Sequence, residues 1–175
     1  MSLKVPIGPH DHELGRADAP LTLLEFGDFE CPYCIAAHPT VQAVIASLGN
    51  RLRFVFRHMP LGEVHPHAEL AAEAAEAAGA QGRFWEMHDA LFERQAELGP
   101  ELMAALARRL QLDMTRFDDD LSSRRFRDHV KRDFLGAIRS GVPGTPAFFV
   151  ANELYVGSID EQSLSAALQG LRVHA

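Results

Sequence analysis

The sequence is poor in cysteine, tryptophan and tyrosine, with two, one and two among 175 residues. Two cysteines cannot hold together a small secreted scaffold, which needs several disulfides. An excess of positive charge is also missing. Twenty-four acidic residues stand against 17 basic ones, a formal charge of −7, whereas a general nucleic-acid binder presents a basic face. No apolar run approaches the ~20 residues of a membrane-spanning helix, so direct membrane insertion is not expected. The opening Met1-Ser2-Leu3-Lys4-Val5-Pro6 has no basic segment followed by an apolar one. It reads as a chain without an export signal, cytoplasmic as it stands and extracytoplasmic if a leader or anchor has been removed. What is present in quantity is apolar side chain, 47% of the residues, enough for the core of one compact domain.

Residues 1–20 are rich in Pro, Gly, His and Asp and read as an arm or linker, with His10 and His12 in it. Leu21 to Phe26 is a short apolar run between Pro20 and Gly27, the pattern of a buried strand. Ile35 to Leu48 reads as a helix that Pro39 should kink and Gly49-Asn50 should end. Leu52 to Phe56 is a second strand, which completes a β–α–β unit. From about His67 to Ser140 the chain turns Ala-, Leu-, Glu- and Arg-rich, predicting four or five helices with breaks near Gly79–Gly82, Gly99-Pro100 and Leu112-Asp113. Phe84, Met87, His88, Leu91 and Phe92 recur at helical spacing and mark a core face. Pro146–Val150 and Leu154–Val156 predict a hairpin, and Asp160 caps a last helix over Glu161–Leu171. The fold class is α/β: β–α–β, a helical block, then β–β–α.

Both cysteines fall at the first strand-to-helix turn, as Cys31-Pro32-Tyr33-Cys34. A thiol at that place meets unpaired backbone N–H groups and the positive end of the helix dipole, which lower its pKa. A second thiol one turn further in can attack a mixed disulfide and release the partner. Cys31 is therefore the candidate nucleophile and Cys34 the resolving thiol. Two other readings stand beside this one. A zinc site would need four ligands, and His58, His65 and His67 would have to replace the missing second cysteine pair. Alternatively, both cysteines are inert core residues.

A second motif favours redox chemistry. Val142-Pro143-Gly144-Thr145-Pro146 leads into the later strand, and a proline opening a strand is allowed only at special positions. A cis Thr145–Pro146 bond would turn Thr145 toward the sulfurs, where its backbone groups could pair with an extended substrate. Phe29, Tyr33, Met59, Pro60 and Leu61 could form an apolar rim for an unfolded polypeptide, or equally be covered by the helical block. Among the histidines, His58, just after the second strand, is the candidate for a supporting role near the site, and His38 reads as a packing or solvent residue.

The stretch from Asp18 to Cys34 resembles the start of a bacterial DsbA-family thioredoxin-like protein. Gly141 to Val150 resembles that family's cis-proline segment, and Phe56–Leu61 with His65–Ala68 matches one branch of it. The likeness runs from about residue 12 to 171. It implies a thioredoxin fold over residues 21–175 with an all-helical insertion at about 64–140, and thiol–disulfide oxidoreduction on protein or peptide thiols with a separate redox partner. It implies Cys31 as surface nucleophile, Cys34 as its partner and Pro146 as the cis-proline, with Thr145, Pro32 and Tyr33 at the substrate. Glu25 resembles the buried acid that exchanges a proton with the second cysteine. The Cys31–Cys34 disulfide is the redox group, with no metal or organic cofactor. Pro32-Tyr33 resembles the glutaredoxin dipeptide, where strongly oxidising members carry a His, which implies a moderate oxidant or isomerase and leaves a reductase as the alternative. The same branch occurs fused to sodium/proton antiporters, so the alternative is a non-catalytic binding or redox-sensing domain cut from a transporter fusion.

Overall fold

A computed structural model describes residues 1–170; residues 171–175, including the predicted helix end at Leu171, lie outside the described residues. Five strands form one mixed sheet: β1 (His12–Gly15), β2 (Leu21–Gly27), β3 (Leu52–His58), β4 (Ala147–Val150) and β5 (Glu153–Leu154), in the order β1-β3-β2-β4-β5. β2 and β3 are parallel, with Leu21 opposite Leu52 and Gly27 opposite His58; the other neighbouring pairs are antiparallel. Parallel strands are covered on both faces, which is why β2 and β3 read as nearly unbroken apolar runs. The alternation of side chains along them sorts the core in two. Leu21, Leu23, Phe54, Phe56, Phe148 and Val150 face one cluster; Leu24, Phe26, Val55, Ala147 and Phe149 face the other.

The crossover from β2 to β3 is α1 (Pro32–Leu48). Proline at its first position costs nothing, because that N–H has no partner in the helix. The element runs unbroken through Pro39, where the sequence predicts a kink. Cys34, Ala37, Val41, Val44 and Leu48 are buried along one side and hold the helix to the sheet on both sides of the proline. It ends at Gly49, whose φ of 49° lies in the left-handed region that favours glycine.

The insertion contains five helices: α2 (Ala68–Gly79), α3 (Phe84–Glu93), α4 (Pro100–Arg109), α5 (Met114–Ser122) and α6 (Arg127–Arg139). Alanine both favours helix and permits close approach, and α2 buries Ala68, Ala71, Ala72, Ala74, Ala75, Ala77 and Ala78. Helices α2–α5 join α1 and the last helix, α7 (Glu161–Gly170), over the first core cluster. Helix α6 covers the second with Ala137 and Phe134. Asp160 accepts from the Ser163 N–H at 2.8 Å at the start of α7. No helix among the described residues is long and apolar enough to cross a membrane.

The segment 1–20, expected as an arm or linker, is built into the sheet. His12 to Gly15 pair with β3, and Leu3 and Ile7 pack on the second core cluster. Arg57, 3% exposed, binds Asp11 through Nε at 2.6 Å and Nη2 at 2.9 Å, and donates to the carbonyls of Val5 and Pro6. The sequence hides this strand because β1 is four residues long and, as an edge strand, carries no apolar run.

Candidate active site

The turn between β2 and α1 is fixed before the cysteines are reached. Gly27 ends β2 with its carbonyl accepting from Met59 N–H at 2.8 Å, and a Cβ there would sit 2.4 Å from the Phe56 ring. Asp28 is buried, and its carboxylate accepts from the N–H groups of Glu30 and Leu61, both at 2.8 Å, and meets His65 Nδ1 at 2.7 Å. Glu30 accepts from His67 N–H at 2.6 Å. From α3's trailing turn, Gln95 Nε2 donates to the carbonyls of Phe29 at 2.8 Å and Cys31 at 3.0 Å. The insertion thus grips the redox turn at four residues.

Cys31 occupies the N-cap position of α1 in extended conformation, and no side chain caps the helix there. Its carbonyl accepts from Cys34 N–H at 3.0 Å and Ile35 N–H at 3.2 Å. In its thiol form Cys31 Sγ lies 3.3 Å from the Thr145 carbonyl, across 114 residues of sequence. The Thr145–Pro146 peptide is cis. Thr145 Oγ1 is buried without a partner of its own, leaving that hydroxyl free to donate to a thiolate.

The two sulfurs differ strongly. A hydrogen bond from the Cys34 thiol, joined by Thr145 and by the N–H groups of Cys34 and Tyr33, outweighs burial and holds Cys31 at about 5, against an ordinary 9.0. Cys34 is wholly buried and pushed far above the usual thiol range by desolvation, by its bond to Cys31 and by the nearby Glu25 carboxylate. Glu25 is itself 3% exposed on β2, and burial raises its pKa to about 8. A thiol that is ionised at neutral pH, a second that is not, and a buried carboxyl group beside the second are together able to move one proton with one sulfur–sulfur bond.

The structure gathers Cys31, Cys34, Glu25, Thr145 and Pro146 in one place, with Pro32 and Tyr33 exposed on its outer side. One expectation is corrected. Cys31, expected at the surface, is 3% exposed, because the Thr145 turn lies over its sulfur. Of the residues that could either line an apolar rim or be covered by the insertion, Phe29 and Met59 are buried in the core, whereas Tyr33 is 74% exposed. His58 does not touch the sulfurs. Its ring lies against Phe29 at 5.9 Å between centroids, and its Nε2 meets Glu76 Oε1 at 2.9 Å. Of the three histidines considered for a zinc set with the cysteines, His58 is engaged with Glu76 and His65 with Asp28, while the backbone of His67 holds Glu30. Among the described residues, no group of three metal-ligating side chains includes either cysteine.

Gln95 and Asp28 were missed by sequence reasoning. Asp28 carries a signal, a carboxylate three residues before Cys31 in the turn. Gln95 carries none, because its role depends on how α3 returns to the turn.

A family model described as Thioredoxin matches residues 8–170. The Na(+)/H(+) antiporter NhaA 1 of Salinispora arenicola is 48% identical over 169 residues, covering 96% of this chain and 26% of the antiporter. The chain spans about a quarter of the length of such curated relatives. Among solved structures, a thioredoxin-like oxidoreductase from Silicibacter pomeroyi superposes with a TM-score of 0.85 and 28% identity, over 96% of this chain and 95% of that one. The thiol-disulfide exchange protein alpha-DsbA2 of Wolbachia pipientis shares the fold, with a TM-score of 0.79 and 20% identity over 93% of this chain and 88% of its own. The match across nearly all described residues, on a sheet with the helical block of DsbA-like structures, shows that the chain belongs to the thioredoxin family.

Proposed function

We propose that this chain is a protein thiol–disulfide oxidoreductase whose redox group is the Cys31–Cys34 pair. The asymmetry of the two thiols carries the reading: Cys31 is held at about 5 while burial keeps Cys34 protonated. In the oxidised form, a substrate thiolate attacks Cys31 Sγ. The Cys31–Cys34 bond breaks, a mixed disulfide forms, and the Cys34 thiolate leaves and takes a proton from Glu25. A second substrate thiolate then attacks the substrate sulfur of the mixed disulfide and displaces Cys31 as a stable thiolate. The substrate is oxidised by two electrons and the protein reduced by two. A leaving thiolate of low pKa favours this direction.

The substrate we propose is an extended polypeptide with a cysteine. A groove of about 450 Å³ runs beside the cis-proline turn, lined among others by Thr145, Pro146, Tyr155, Val156 and Ile159. Val156 is 90% and Ile159 41% exposed, and Tyr33 stands exposed beside Cys31. A strand entering along Thr145 would find backbone groups for pairing and would compete with Cys31 for the Thr145 carbonyl.

Oxidative refolding of a reduced, unfolded protein tests the proposal. The oxidised wild type should accelerate disulfide formation, and Cys31→Ser should lose that acceleration entirely. Equal rates for the two proteins overturn it. Because the chain spans a quarter of its antiporter relatives, a sensing domain attached to a transporter is the second reading. There, Cys31→Ser would leave the refolding rate unaltered.

A further inference from the structure

Away from the cysteines, β1, β3, α2 and α6 bring three imidazoles around one carboxylate. His12 Nε2 lies 2.7 Å and His58 Nε2 2.9 Å from Glu76 Oε1, while His129 Nδ1 lies 3.5 Å from Glu76 Oε2. Among the described residues, no lysine or arginine lies within ion-pair distance of Glu76, whose side chain is 5% exposed. We infer that His12, Glu76 and His129 form a binding site for a zinc-like divalent cation, with His58 and Asp133 as its positioning residues.

The chemistry of the donors selects the ion. Two imidazoles and one carboxylate suit zinc, whereas calcium and magnesium take sets of oxygen atoms. The spacing suits it too. Zinc bound at about 2.0 Å in tetrahedral geometry sets its donor atoms about 3.3 Å apart. One donor atom each from His12, Glu76 and His129 already lie within 4.8 Å of one another. The rings of His12 and His129 are nearly parallel, 19° apart with centroids separated by 6.0 Å.

The surrounding groups hold these donors in place. His12 stacks on Phe84 at 3.4 Å and 4°. The His58 Nε2–H donates to Glu76 Oε1, leaving Oε2 directed to His129. The far nitrogen of His129 faces Asp133 Oδ2 at 3.6 Å, and that same oxygen accepts from His58 N–H at 3.2 Å. A carboxylate behind the outer nitrogen of a metal-bound histidine fixes its ring and strengthens it as a ligand. His12 and His129 side chains are 21% and 18% exposed, so the ion has a path in and water can fill the fourth position. The bound ion would tie β1 to α2 and α6, fastening the edge strand to the insertion.

The test uses the full chain carrying Cys31→Ser and Cys34→Ser, so that no thiol binds metal, stripped of metal and titrated calorimetrically with zinc chloride. A single tight equivalent is expected, with a rise in melting temperature that calcium and magnesium do not reproduce. His12→Gln and His129→Gln should each weaken binding by about 100-fold or more, and the exposed His10→Gln should leave it unchanged. Zinc X-ray absorption, reporting two imidazoles and a carboxylate both in the parent chain and in His38→Gln, which breaks the second such group of His38, His88 and Asp89, gives an answer independent of whether the His12 and His129 variants fold. No tight equivalent, loss shared by His10→Gln, or an absorption spectrum with fewer than two imidazoles would overturn the assignment.

Discussion

Cys31 and Cys34 are the same side chain on one turn of helix, and their surroundings make them opposites. Cys31 collects donors: the Cys34 thiol, Thr145 and the first N–H groups of α1. Cys34 lies fully inside the core, beside a carboxylate. Cys31 should therefore react with iodoacetamide at a rate that rises through a midpoint near 5, followed by thiolate absorbance at 240 nm. A midpoint at the ordinary thiol value would remove the basis for the proposed chemistry. The same shift has a stability consequence with a definite sign. Its folded value lies below the unfolded 9.0, so the thiolate's contribution to the reduced protein is complete above about 9 and is lost as pH falls toward 5. Reduced wild type should gain stability over Cys31→Ser across that window, as read by urea unfolding.

At the scale of elements, the redox turn depends on helices that follow it in sequence. Asp28 reaches His65 and Leu61, Glu30 reaches His67, and Gln95 closes the set from beyond α3. Gln95→Ala removes the donor from two carbonyls, one of them on Cys31 itself. We expect a loss of about 1–2 kcal/mol in equilibrium unfolding and an altered Cys31 titration midpoint. A purely structural loss would leave the midpoint where it is. The strands other than β1, the body of α1 and the breaks between the insertion's helices were legible in the sequence because each rests on local signals such as apolar runs, Gly49 at a helix end and the break at Leu112-Asp113. Helix α1 itself begins at Pro32, earlier than the Ile35 start that the sequence predicts. Strand β1 was not legible. Its four residues acquire their state from pairing with β3, and an edge strand does not need apolar residues on both faces.

On the scale of the whole molecule, the N-terminal segment closes the structure over the second core cluster. Arg57 is the fastening, buried on β3 with its guanidinium shared among Asp11, Val5 and Pro6. Asp11→Ala leaves that charge buried and half-partnered, which should destabilise the chain by about 3–5 kcal/mol in urea unfolding. An effect below about 1 kcal/mol, the size of an exposed pair, would mean the segment is loosely held.

Two cysteines in 175 residues, placed between an apolar run and a helix and joined by the distant Thr145-Pro146, were enough to point to a thiol pair and to propose its first and second members, and the apolar runs gave the order of the elements from β2 onward. Each of those motifs is local, written in neighbours a few positions apart. Burial of the Cys31 sulfur under Thr145, the bonds from Gln95 and the gathering of His12, Glu76 and His129 were decided only in three dimensions. Each joins residues separated by tens of positions, and their distances and desolvation are set by the packing of helices on the sheet.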